Sequence, residues 1–438
     1  MSPATEGAIV LVVTLAMLVS GVPVAFGLGA VAIIFLLIFQ GFDSLHVVAE
    51  TFLSGLDEFT LVAIPMFVMM GAAIGSSPAG KDLYESLDRW LYRVPGGLAI
   101  SNIGACAIFA ALTGSSPACC AAIGKMGIPE MRRRGYPDKV ATGCICAGGS
   151  LGILIPPSVT FILYGIATES SIGRLFVAGV LPGLMLTGLF ILWTLFTIWR
   201  SGFRSHAPDF RYSWKEKFSG LPKIAPFVAI ILGVMYVLYG GVATPSEAAG
   251  VGAALCLILA IVIYRLWKPD QVWLILRDTM RESVMILTII AASVLFGYML
   301  TSLYLTQTLA QGIADLHANK WLLMFLINIF LLVCGFFIPP AAIILMTSPI
   351  LLPIITAAGF DPIWFGVVVT INMEIGLIHP PVGLNIYIVN AIAPDVPLMQ
   401  IMWGTLPYVI CMMLAIVILC IFPQIATWLP DFLMGAGK

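Results

Sequence analysis

Two apolar segments of this chain are interrupted in the same way, by a glycine, three further residues and two consecutive prolines. The first interruption reads SLGILIPPS at 150–158, and the second reads EIGLIHPPVGLN at 374–385. A proline inside a helix removes a backbone donor and clashes with the preceding turn, which costs about 3 kcal/mol or more. In hydrocarbon the freed polar groups find no water, so broken helices persist only within protein or beside a wet cavity. The interruptions therefore predict a helical membrane protein in which the broken helices are buried in protein or line a functional cavity.

The composition supports this prediction. Of 438 residues, 60% are hydrophobic and 10% are charged, and long apolar runs recur from residue 7 to residue 428. These features are typical of an all-α polytopic membrane protein. The N-terminus, MSPATEGAIVLVV, lacks the positive region of a cleaved signal peptide, so we expect the first apolar run to be retained. The nine cysteines lie in or beside apolar segments, which favours packed thiols over a disulfide framework or a zinc site. The composition gives no indication of nucleic-acid binding or of an organic cofactor.

Two of the apolar segments are too long for one crossing, which needs about 20 residues. Each of these two has Gly or Pro near its middle, TGSSPA at 113–118 and GFFIPPA at 335–341. We therefore predict ten transmembrane helices plus two re-entrant helical hairpins. The acidic stretch 41–60 is expected to be solvated and interfacial. The apolar segments are 7–21, 24–40, 61–78, 97–128, 138–166, 175–199, 224–240, 247–267, 283–304, 321–358, 363–392 and 401–428.

The basic residues predict the orientation. With both long segments as hairpins, one side of the membrane holds seventeen Lys and Arg and the other holds three. The richer side is assigned to the cytoplasm, and both termini then lie outside. Treating either hairpin as a full crossing would remove this bias. The cytoplasmic residues are Lys81, Arg89, Arg93, Arg132, Arg133, Arg134, Lys139, Arg200, Arg204, Arg211, Lys215, Lys217, Lys223, Arg265, Lys268, Arg277 and Arg281, the outer ones are Arg174, Lys320 and Lys438, and Lys125 lies within the first hairpin.

A shift of 224 residues aligns the two halves of the chain. It places Gly152 on Gly376 and Pro156-Pro157 on Pro380-Pro381, and it also aligns Pro129 with Pro353 and Gly135 with Gly359. Because each half has five crossings and one hairpin, the second half must enter the membrane from the opposite side. The predicted units are a first repeat at 1–200 with its hairpin at 97–128 and broken helix at 138–166, a basic linker at 201–223, and a second repeat at 224–438 with its hairpin at 321–358 and broken helix at 363–392.

Inverted repeats with broken helices are typical of secondary transporters, whose binding sites lie at the repeat interface near mid-membrane. Unpaired carbonyls can coordinate a cation, and helix N-termini favour an anionic group. At the first break, the carbonyls from Gly152 to Pro157 are expected to face the hairpin tip at Thr113, Gly114, Ser115 and Ser116. The second break offers Gly376, His379 and Pro381 facing Phe337, Ile338 and Pro339. These hard oxygen donors suit an alkali cation.

Longer motifs resemble those of one transporter family. They are IPEMRRRGYP at 128–137 with GILIPPSV at 152–159, and MTSPILLPI at 346–354 with INMEIGLIHPPVGLN at 371–385. VATPSEAAGVGA at 242–253 is also similar. Over nearly its whole length the chain resembles the large membrane subunit of tripartite ATP-independent periplasmic (TRAP) transporters.

The resemblance implies sodium-driven uptake of an organic acid, such as a C4-dicarboxylate or sialic acid, across a bacterial inner membrane. It implies an elevator mechanism, in which the hairpins and broken helices move against the remaining helices. It also implies two protein partners, a small four-helix membrane subunit and a periplasmic substrate-binding protein, besides membrane lipid. The sodium ions are transported, and no organic cofactor is implied.

The resemblance also assigns candidate site residues. His379 departs from the small hydroxyl residue expected in relatives. Substrate is expected between the two hairpin tips, at Ser116, Pro117, Pro339, Pro340, Ser158, Thr160, Asn372 and Asn385. The buried Glu374 is a candidate supporting carboxylate, because intramembrane acids are often functional, and Glu247 is expected to cap a helix start. The sodium candidates are Thr113, Ser115, Gly152, Ile155, Pro157, Phe337, Pro339, Gly376, His379 and Pro381.

Three other interpretations remain open at this point. Ser115 or Ser116 with His379 could form the nucleophile and base of an intramembrane hydrolase. A passive channel needs a continuous wet path, which two closed hairpin tips disfavour. A stand-alone sodium-coupled anion symporter would need neither a small subunit nor a binding protein.

The topology makes a direct prediction for labelling. In Asp209→Cys the new thiol should react with a membrane-impermeant maleimide only after spheroplasts are permeabilised, because the basic linker is expected in the cytoplasm. In Asp315→Cys it should react with intact spheroplasts. The parent chain is the control for its native cysteines, and the reverse pattern would overturn the orientation.

Overall fold

The structure is a computed structural model that describes residues 3–92, 94, 96–202, 212–266, 268–308, 311, 319–380 and 383–435. Within these ranges the chain is helical and contains no β-strand. The all-α prediction is therefore confirmed for the described residues.

The described part of the first half contains ten α-helices, and all of them except α3 and α5 coincide with the predicted apolar segments. The first hairpin is a pair of helices, and the first broken helix is interrupted between 150 and 159. The helices are α1 Pro3–Val19, α2 Val24–Gln40, α3 His46–Leu56, α4 Ala63–Gly75, α5 Ala79–Leu91, α6 Gly97–Thr113, α7 Ser116–Arg133, α8 Asp138–Ser150, α9 Val159–Ala167 and α10 Ile172–Arg200.

The linker and the second half follow the same plan. The second hairpin is interrupted between 335 and 340, and the second broken helix between 378 and 384. The described helices are α11 Trp214–Phe218, α12 Leu221–Tyr239, α13 Pro245–Val262, α14 Pro269–Ser302, α15 Lys320–Gly335, α16 Pro340–Ala357, α17 Pro362–Ile378, α18 Leu384–Ile392, α19 Leu398–Ile421 and α20 Gln424–Met434.

The helix contacts recur in matching pairs between the halves. Each hairpin packs on its own broken helix, through α6 on α8 in the first half and α15 on α17 in the second. Each hairpin also contacts the far part of the other broken helix, through α7 on α18 and α16 on α9. Likewise, α8 of the first half packs on α19 of the second half, and α17 of the second half packs on α10 of the first. This exchange is what a two-fold relation between the halves produces, although the division into inverted repeats stays a prediction.

Five described helices are long and apolar enough to cross a membrane, namely α10, α13, α14, α16 and α19. The segments Phe42–Leu56 and Phe59–Gly75, bent by 58° relative to each other, together add a sixth. Shorter apolar helices include α2, α6, α15 and α17. The fold is thus a multi-spanning helical one, while ten crossings with two re-entrant hairpins stay a prediction.

Several stretches taken as loops contain helices, among them 41–60 and 79–96. The acidic stretch 41–60 forms a short 3-10 helix at Phe42–Leu45, then α3, and a second 3-10 turn from Phe59. α3 packs against α14, so this stretch is more structured than a solvated connection. In the predicted cytoplasmic stretch 79–96, α5 buries Leu83 and Tyr84 and exposes Lys81. Both helices are amphipathic, and a search for continuous apolar runs misses that pattern.

The basic linker is attached to α5 by aromatic rings around one lysine. The ammonium of Lys217 lies 5.4 Å from the ring centroid of Trp214 and 5.7 Å from those of Trp90 and Tyr92. Arg89 on α5 also donates to the Ser219 hydroxyl at 3.0 Å. These cation–π contacts and hydrogen bonds fix the described part of the linker against the helix that precedes the first hairpin.

An ion network closes the predicted cytoplasmic end of that hairpin. Arg134 bonds Asp88 of α5 and Glu130 of α7, each at 2.8 Å, and the three side chains are 12%, 9% and 18% exposed. Nearby, Arg132 bonds Asp395, in the loop after the second broken helix, at 3.1 Å. The hydrogen bond from Arg132 lowers the pKa of the Asp395 carboxyl. These ion pairs join segments that the charge count assigns to the same side of the membrane.

The network yields a paired stability prediction. Arg134→Gln leaves Asp88 and Glu130 without their shared cation in a nearly closed site, and should cost about 3 kcal/mol. Arg133→Gln is the matched control, because Arg133 bonds the same Glu130 at 2.8 Å but its side chain is 77% exposed. The control should cost less than about 1 kcal/mol. Thermal unfolding in lipid nanodiscs compares the two variants, and equal losses would contradict the assignment.

Candidate functional site

The first hairpin tip is in direct contact with the first break. A Cβ at Gly152 would lie 2.7 Å from the Ser115 carbonyl oxygen and 2.8 Å from the Ser116 nitrogen, so only glycine allows this approach. Gly114 turns the tip with φ +58°, and a Cβ there would lie 2.9 Å from the Pro157 carbonyl oxygen. The predicted pairing of tip and break is present in the structure.

The two prolines of the first break leave two carbonyls without helical donors. The oxygens of Gly152 and Ile153 would accept from residues four further on, which are Pro156 and Pro157 and have no N–H. The Ser158 hydroxyl donates to the Ile153 oxygen at 2.5 Å and accepts from the Phe161 N–H at 3.4 Å. Ser158 therefore bridges the break and caps α9, while the Gly152 carbonyl has no N–H four residues further on.

The second break repeats the contact with different chemistry. A Cβ at Gly376 would lie 2.8 Å from the Gly335 carbonyl carbon, so the end of α15 touches this break closely. Gly383, with φ +48°, immediately precedes α18. Sequence alignment places Val382 where the first break has Ser158, so the bridging hydroxyl has no equivalent. The predicted ligand Pro381 lies outside the described residues.

His379, the residue that departs from the expected pattern, lies at the end of α17. Its ring stacks on Phe336 at the second hairpin tip, with centroids 4.6 Å apart and planes 18° from parallel. Its Nδ1 contacts the Pro380 carbonyl oxygen. The residue also lines a cavity of about 140 Å³ together with Trp403 and Met402. The structure thus gives His379 a packing role between the tip and the break.

Asn385 joins the second break to the first hairpin tip. It is fully buried in the first turn of α18, and its Nδ2 donates to the Ser116 hydroxyl at 2.8 Å. The same amide nitrogen lies 3.4 Å from the Cys146 carbonyl oxygen on α8. Two of the predicted substrate residues therefore bond each other across 269 positions of sequence.

Asn372 makes a comparable link within the second half. Its Nδ2 donates to the side-chain and backbone oxygens of Asn328 on α15, at 2.9 and 3.1 Å. This pair holds the second hairpin against α17. The amide nitrogen of Asn372 is therefore occupied by Asn328, whereas its Oδ1 has no hydrogen-bond partner among the described residues.

The two membrane carboxylates have different environments. Glu247 forms a capping box with Thr244, whose N–H donates to the carboxylate at 2.8 Å, so the predicted cap is confirmed. Glu374 is 0% exposed, and neither of its oxygens has a hydrogen-bond partner of good geometry among the described residues.

The remaining predicted residues lie at the tips and breaks, with varied exposure. Pro117 and Pro340 occupy the first turns of α7 and α16, and Pro339 precedes α16. Thr160 is buried in the first turn of α9, whereas Phe337 is 51% exposed. The Ile155 side chain is the nearest neighbour of Gly183 on α10.

A cavity of about 250 Å³ opens beside the first hairpin tip and includes Thr113 and Ser115. The Thr113 hydroxyl donates to the Phe109 carbonyl at 3.1 Å, and its own carbonyl faces Gly71 of α4. Small residues form the walls on α4 and α7, and three charged side chains complete them. The further lining residues are Val68, Gly71, Ala72, Gly75, Ser76, Ala118, Ala121, Ala122, Lys125, Val159, Asp278 and Glu282.

Sequence reasoning missed these charged residues as site candidates. Lys125 lies on the face of α7 that also carries Ala118, Ala121 and Ala122, which is a helical spacing readable from the sequence. Asp278 and Glu282 are one turn apart on α14, in a segment taken mainly as a loop. No sequence signal indicated that α14 would pack beside the first hairpin. The two breaks contain no Lys or Arg, and Lys125 is the basic residue that lines this cavity.

The hydrolase interpretation finds no constellation in the described residues. Ser116 is bonded to Asn385, and His379 stacks on Phe336 in the second half of the site. No hydrogen bond joins either tip serine to His379 among the described contacts.

The family model for the tripartite ATP-independent periplasmic transporter, DctM component, matches residues 11–425. This chain belongs to that family. As a DctM-family member it is a large permease subunit of a TRAP transporter, a multi-pass membrane protein and not an enzyme. The predicted family is confirmed, and the hydrolase alternative is wrong.

Characterised relatives of the family are similar over most of the chain. The C4-dicarboxylate TRAP transporter large permease protein DctM of Pseudomonas aeruginosa is 36% identical over 89% of this chain and 91% of its own length. The sialic acid TRAP transporter large permease protein SiaM of Vibrio cholerae is 30% identical over 97% of this chain and 98% of its own length. The two names differ in substrate, so membership of the family leaves the substrate open.

A solved transporter structure shares the fold. The YdaH transporter of Alcanivorax borkumensis matches with a TM-score of 0.62 at 18% identity, covering 90% of each chain. At this identity the similarity concerns the fold alone. It supports a transporter-like arrangement of the DctM-family helices.

Glycine substitutions test the contacts between tips and breaks. Gly152→Ala and Gly376→Ala each place a methyl group against hairpin backbone and should cost about 1–3 kcal/mol through overpacking. Gly188→Ala on α10 is the control, because a Cβ there meets nothing within 4 Å. Thermal unfolding in nanodiscs measures all three variants. If Gly152→Ala unfolds at the same temperature as Gly188→Ala, the first tip and break are not in contact.

Proposed function

We propose that this DctM-family permease imports an organic acid together with sodium ions, and that the first hairpin tip and first break form the main site. The observation that carries the proposal is the cavity in which Thr113 and Ser115 of the tip lie in the same space as Lys125. Hydroxyl and carbonyl oxygens suit the cation, and the ammonium suits a carboxylate.

The backbone at the first break supports the sodium assignment. The Gly152 carbonyl lacks a helical donor because of Pro156, and the Pro157 carbonyl lies against the tip at Gly114. Ser115 contributes a backbone carbonyl beside Gly152 and a hydroxyl in the cavity. These are neutral oxygen ligands, which bind alkali ions without the charge that would favour divalent ions.

A single basic side chain in the cavity lining, Lys125, supports an anionic substrate. Lys125 is the basic residue among its lining residues, whereas Asp278 and Glu282 lie on the opposing helix α14. C4-dicarboxylates and sialic acid, for which two relatives are named, both contain carboxylate groups, so the proposed substrate class is an organic acid. The acidic residues on α14 would repel a misplaced carboxylate and favour its position near Lys125 and the bound cation.

An elevator mechanism is supported by how the helices associate. The two hairpins and the two broken helices contact one another through α7 with α18 and α9 with α16. The surrounding helices α4 and α14 contact this group at α6 and α16. The hairpins and broken helices would move as one unit past α4 and α14, carrying the site from one side of the membrane to the other.

The proposed assembly contains three components, as the family description states. We propose a small membrane subunit beside this chain, surrounded by lipid, and a periplasmic protein that delivers the substrate to its outer face. The proposed location is the bacterial inner membrane with both termini in the periplasm. Contacts such as Tyr164 to Pro362 at 2.8 Å join segments that the charge count assigns to the outer side.

Reconstitution tests the function. Liposomes containing this chain with its small subunit and binding protein should take up labelled C4-dicarboxylate or sialic acid under an inward sodium gradient. Neither a potassium gradient nor omission of one component should support uptake at the same rate. Full-rate uptake by this chain alone would favour a stand-alone symporter, and uptake without any ion gradient would favour a channel.

Ser115→Ala in the same assay tests the sodium site. Loss of one oxygen ligand should raise the half-saturating sodium concentration by about tenfold, equivalent to about 1.4 kcal/mol. Ser201→Ala is the control, because the Ser201 hydroxyl bonds the Ile198 carbonyl at the end of α10, at the predicted cytoplasmic surface. Unchanged sodium dependence in Ser115→Ala would remove Ser115 from the site.

A further inference from the structure

A second cavity lies beside the first hairpin, at the end of α7 that the charge count assigns to the cytoplasm. This inner cavity has a volume of about 430 Å³ and is lined by residues of α5 and α7. Tyr212 of the basic linker completes the lining, and its ring packs edge-on against Tyr92 with the centroids 5.1 Å apart. The inner cavity therefore lies at the membrane face on which the linker lies.

The inner cavity shares one wall with the tip cavity, which is the space of about 250 Å³ that includes Thr113 and Ser115. Lys125 is the residue common to both linings among the described residues. A helix rises about 1.5 Å per residue, so the lining face of α7 extends over about 22 Å. The two cavities therefore adjoin at Lys125. On α7 the tip cavity is lined by Ala118, Ala121, Ala122 and Lys125, and the inner cavity by Lys125, Met126, Pro129, Glu130 and Arg133.

The charges of the inner cavity leave Lys125 without a counter-ion. The described lining contains four basic and three acidic side chains, which leaves one positive charge in excess. Each acid lies 2.8 or 3.9 Å from an arginine of the same lining. Lys125 is exposed and forms no ion pair within the part of the chain that the structure describes. The paired residues are Arg134 with Asp88 and Glu130, and Arg89 with Glu85.

The acids of the tip cavity lie across from Lys125 on another helix. Asp278 and Glu282 are one turn apart on α14, and Asp278 bonds Arg277 at 3.1 Å. Neither acid forms an ion pair with Lys125 among the described contacts. The ammonium is therefore available to an anionic ligand, and repulsion from α14 would keep a carboxylate on the α7 side of the cavity.

We propose that the inner cavity is the route by which the organic acid leaves the tip cavity, and that Lys125 is the anion-binding residue between them. The ammonium of Lys125 would hold the carboxylate in the tip cavity and, on its flexible four-carbon stem, turn with it towards the inner cavity. The identity of the ligand as the transported acid rests on the proposed function. A path for anions past Lys125 stands by itself.

Cysteine labelling tests whether the two cavities are connected. Ala122→Cys places a thiol in the tip cavity, and Met126→Cys places one in the inner cavity. Lys215→Cys marks the face of the linker, because Lys215 is exposed on α11. All three variants should react with membrane-impermeant methanethiosulfonates added to the same face of sealed vesicles, with the parent chain as the control for native cysteines. If Ala122→Cys does not react from the face that labels Lys215→Cys, the route is overturned.

Reagents of opposite charge test the role of Lys125. In Ala122→Cys, adding Lys125→Gln should slow a negatively charged methanethiosulfonate about fivefold relative to a positively charged one, because a nearby unit charge raises the local anion concentration. Glutamine removes no ion pair, so this variant should remain folded, which thermal unfolding verifies.

Lys81→Gln is the matched control for surface charge. Lys81 lies on α5 at the same face, its ammonium is 3.7 Å from the Glu85 carboxylate, and it belongs to the described lining of neither cavity. The control should change the ratio of the two rates by less than about twofold. A ratio that Lys125→Gln leaves at the value of the control would remove Lys125 from the route.

Transport measurements add a second readout in the reconstituted system. Lys125→Gln should raise the KM for the labelled acid about tenfold, because a charge-assisted hydrogen bond is lost. Lys125→Arg retains the positive charge and should restore the KM to within about twofold. Equal losses in Lys125→Gln and Lys125→Arg would overturn the role of the charge. If wild type itself fails to transport, the proposed function fails, while the labelling still decides whether anions pass Lys125.

Discussion

The structure depends on one constraint, which is that backbone polar groups inside a membrane must find partners within the protein. Each pair of prolines removes two backbone donors from its broken helix, and a hairpin packs closely against the glycine of each break. At the first break the Ser158 hydroxyl takes the Ile153 carbonyl and leaves that of Gly152. At the second break Val382 replaces that hydroxyl. The two breaks thus differ in sequence at the position of the bridging hydroxyl.

Glycines at the contact positions let the hairpins pack closely against the breaks. Gly152 lies against the Ser115–Ser116 peptide, and Gly376 lies against Gly335. A polar side chain then crosses between the halves, because the Asn385 amide donates to the Ser116 hydroxyl. The hairpins and broken helices therefore interlock, as the proposed elevator mechanism requires.

The sequence predicted much of this unit and misjudged its surroundings. The breaks, the tips and the capping role of Glu247 agree with the structure. The amphipathic helices α3 and α5 were taken as loops, because their apolar residues recur at helical spacing rather than in runs. Ser158 was predicted to contact substrate, yet its hydroxyl bridges the break. Lys125 was noted only as a basic residue inside a hairpin, because its place in a cavity depends on how α4 and α14 pack beside it.

The sequence by itself determined where the helices break and which carbonyls lose their donors. These are local consequences of covalent structure, since proline has no N–H and glycine has no Cβ. Only the tertiary structure decided what each freed or buried group meets. Ser116 accepts a hydrogen bond from Asn385, 269 positions away in the sequence. Such partners are set by the packing of distant helices, which no local pattern of residues encodes.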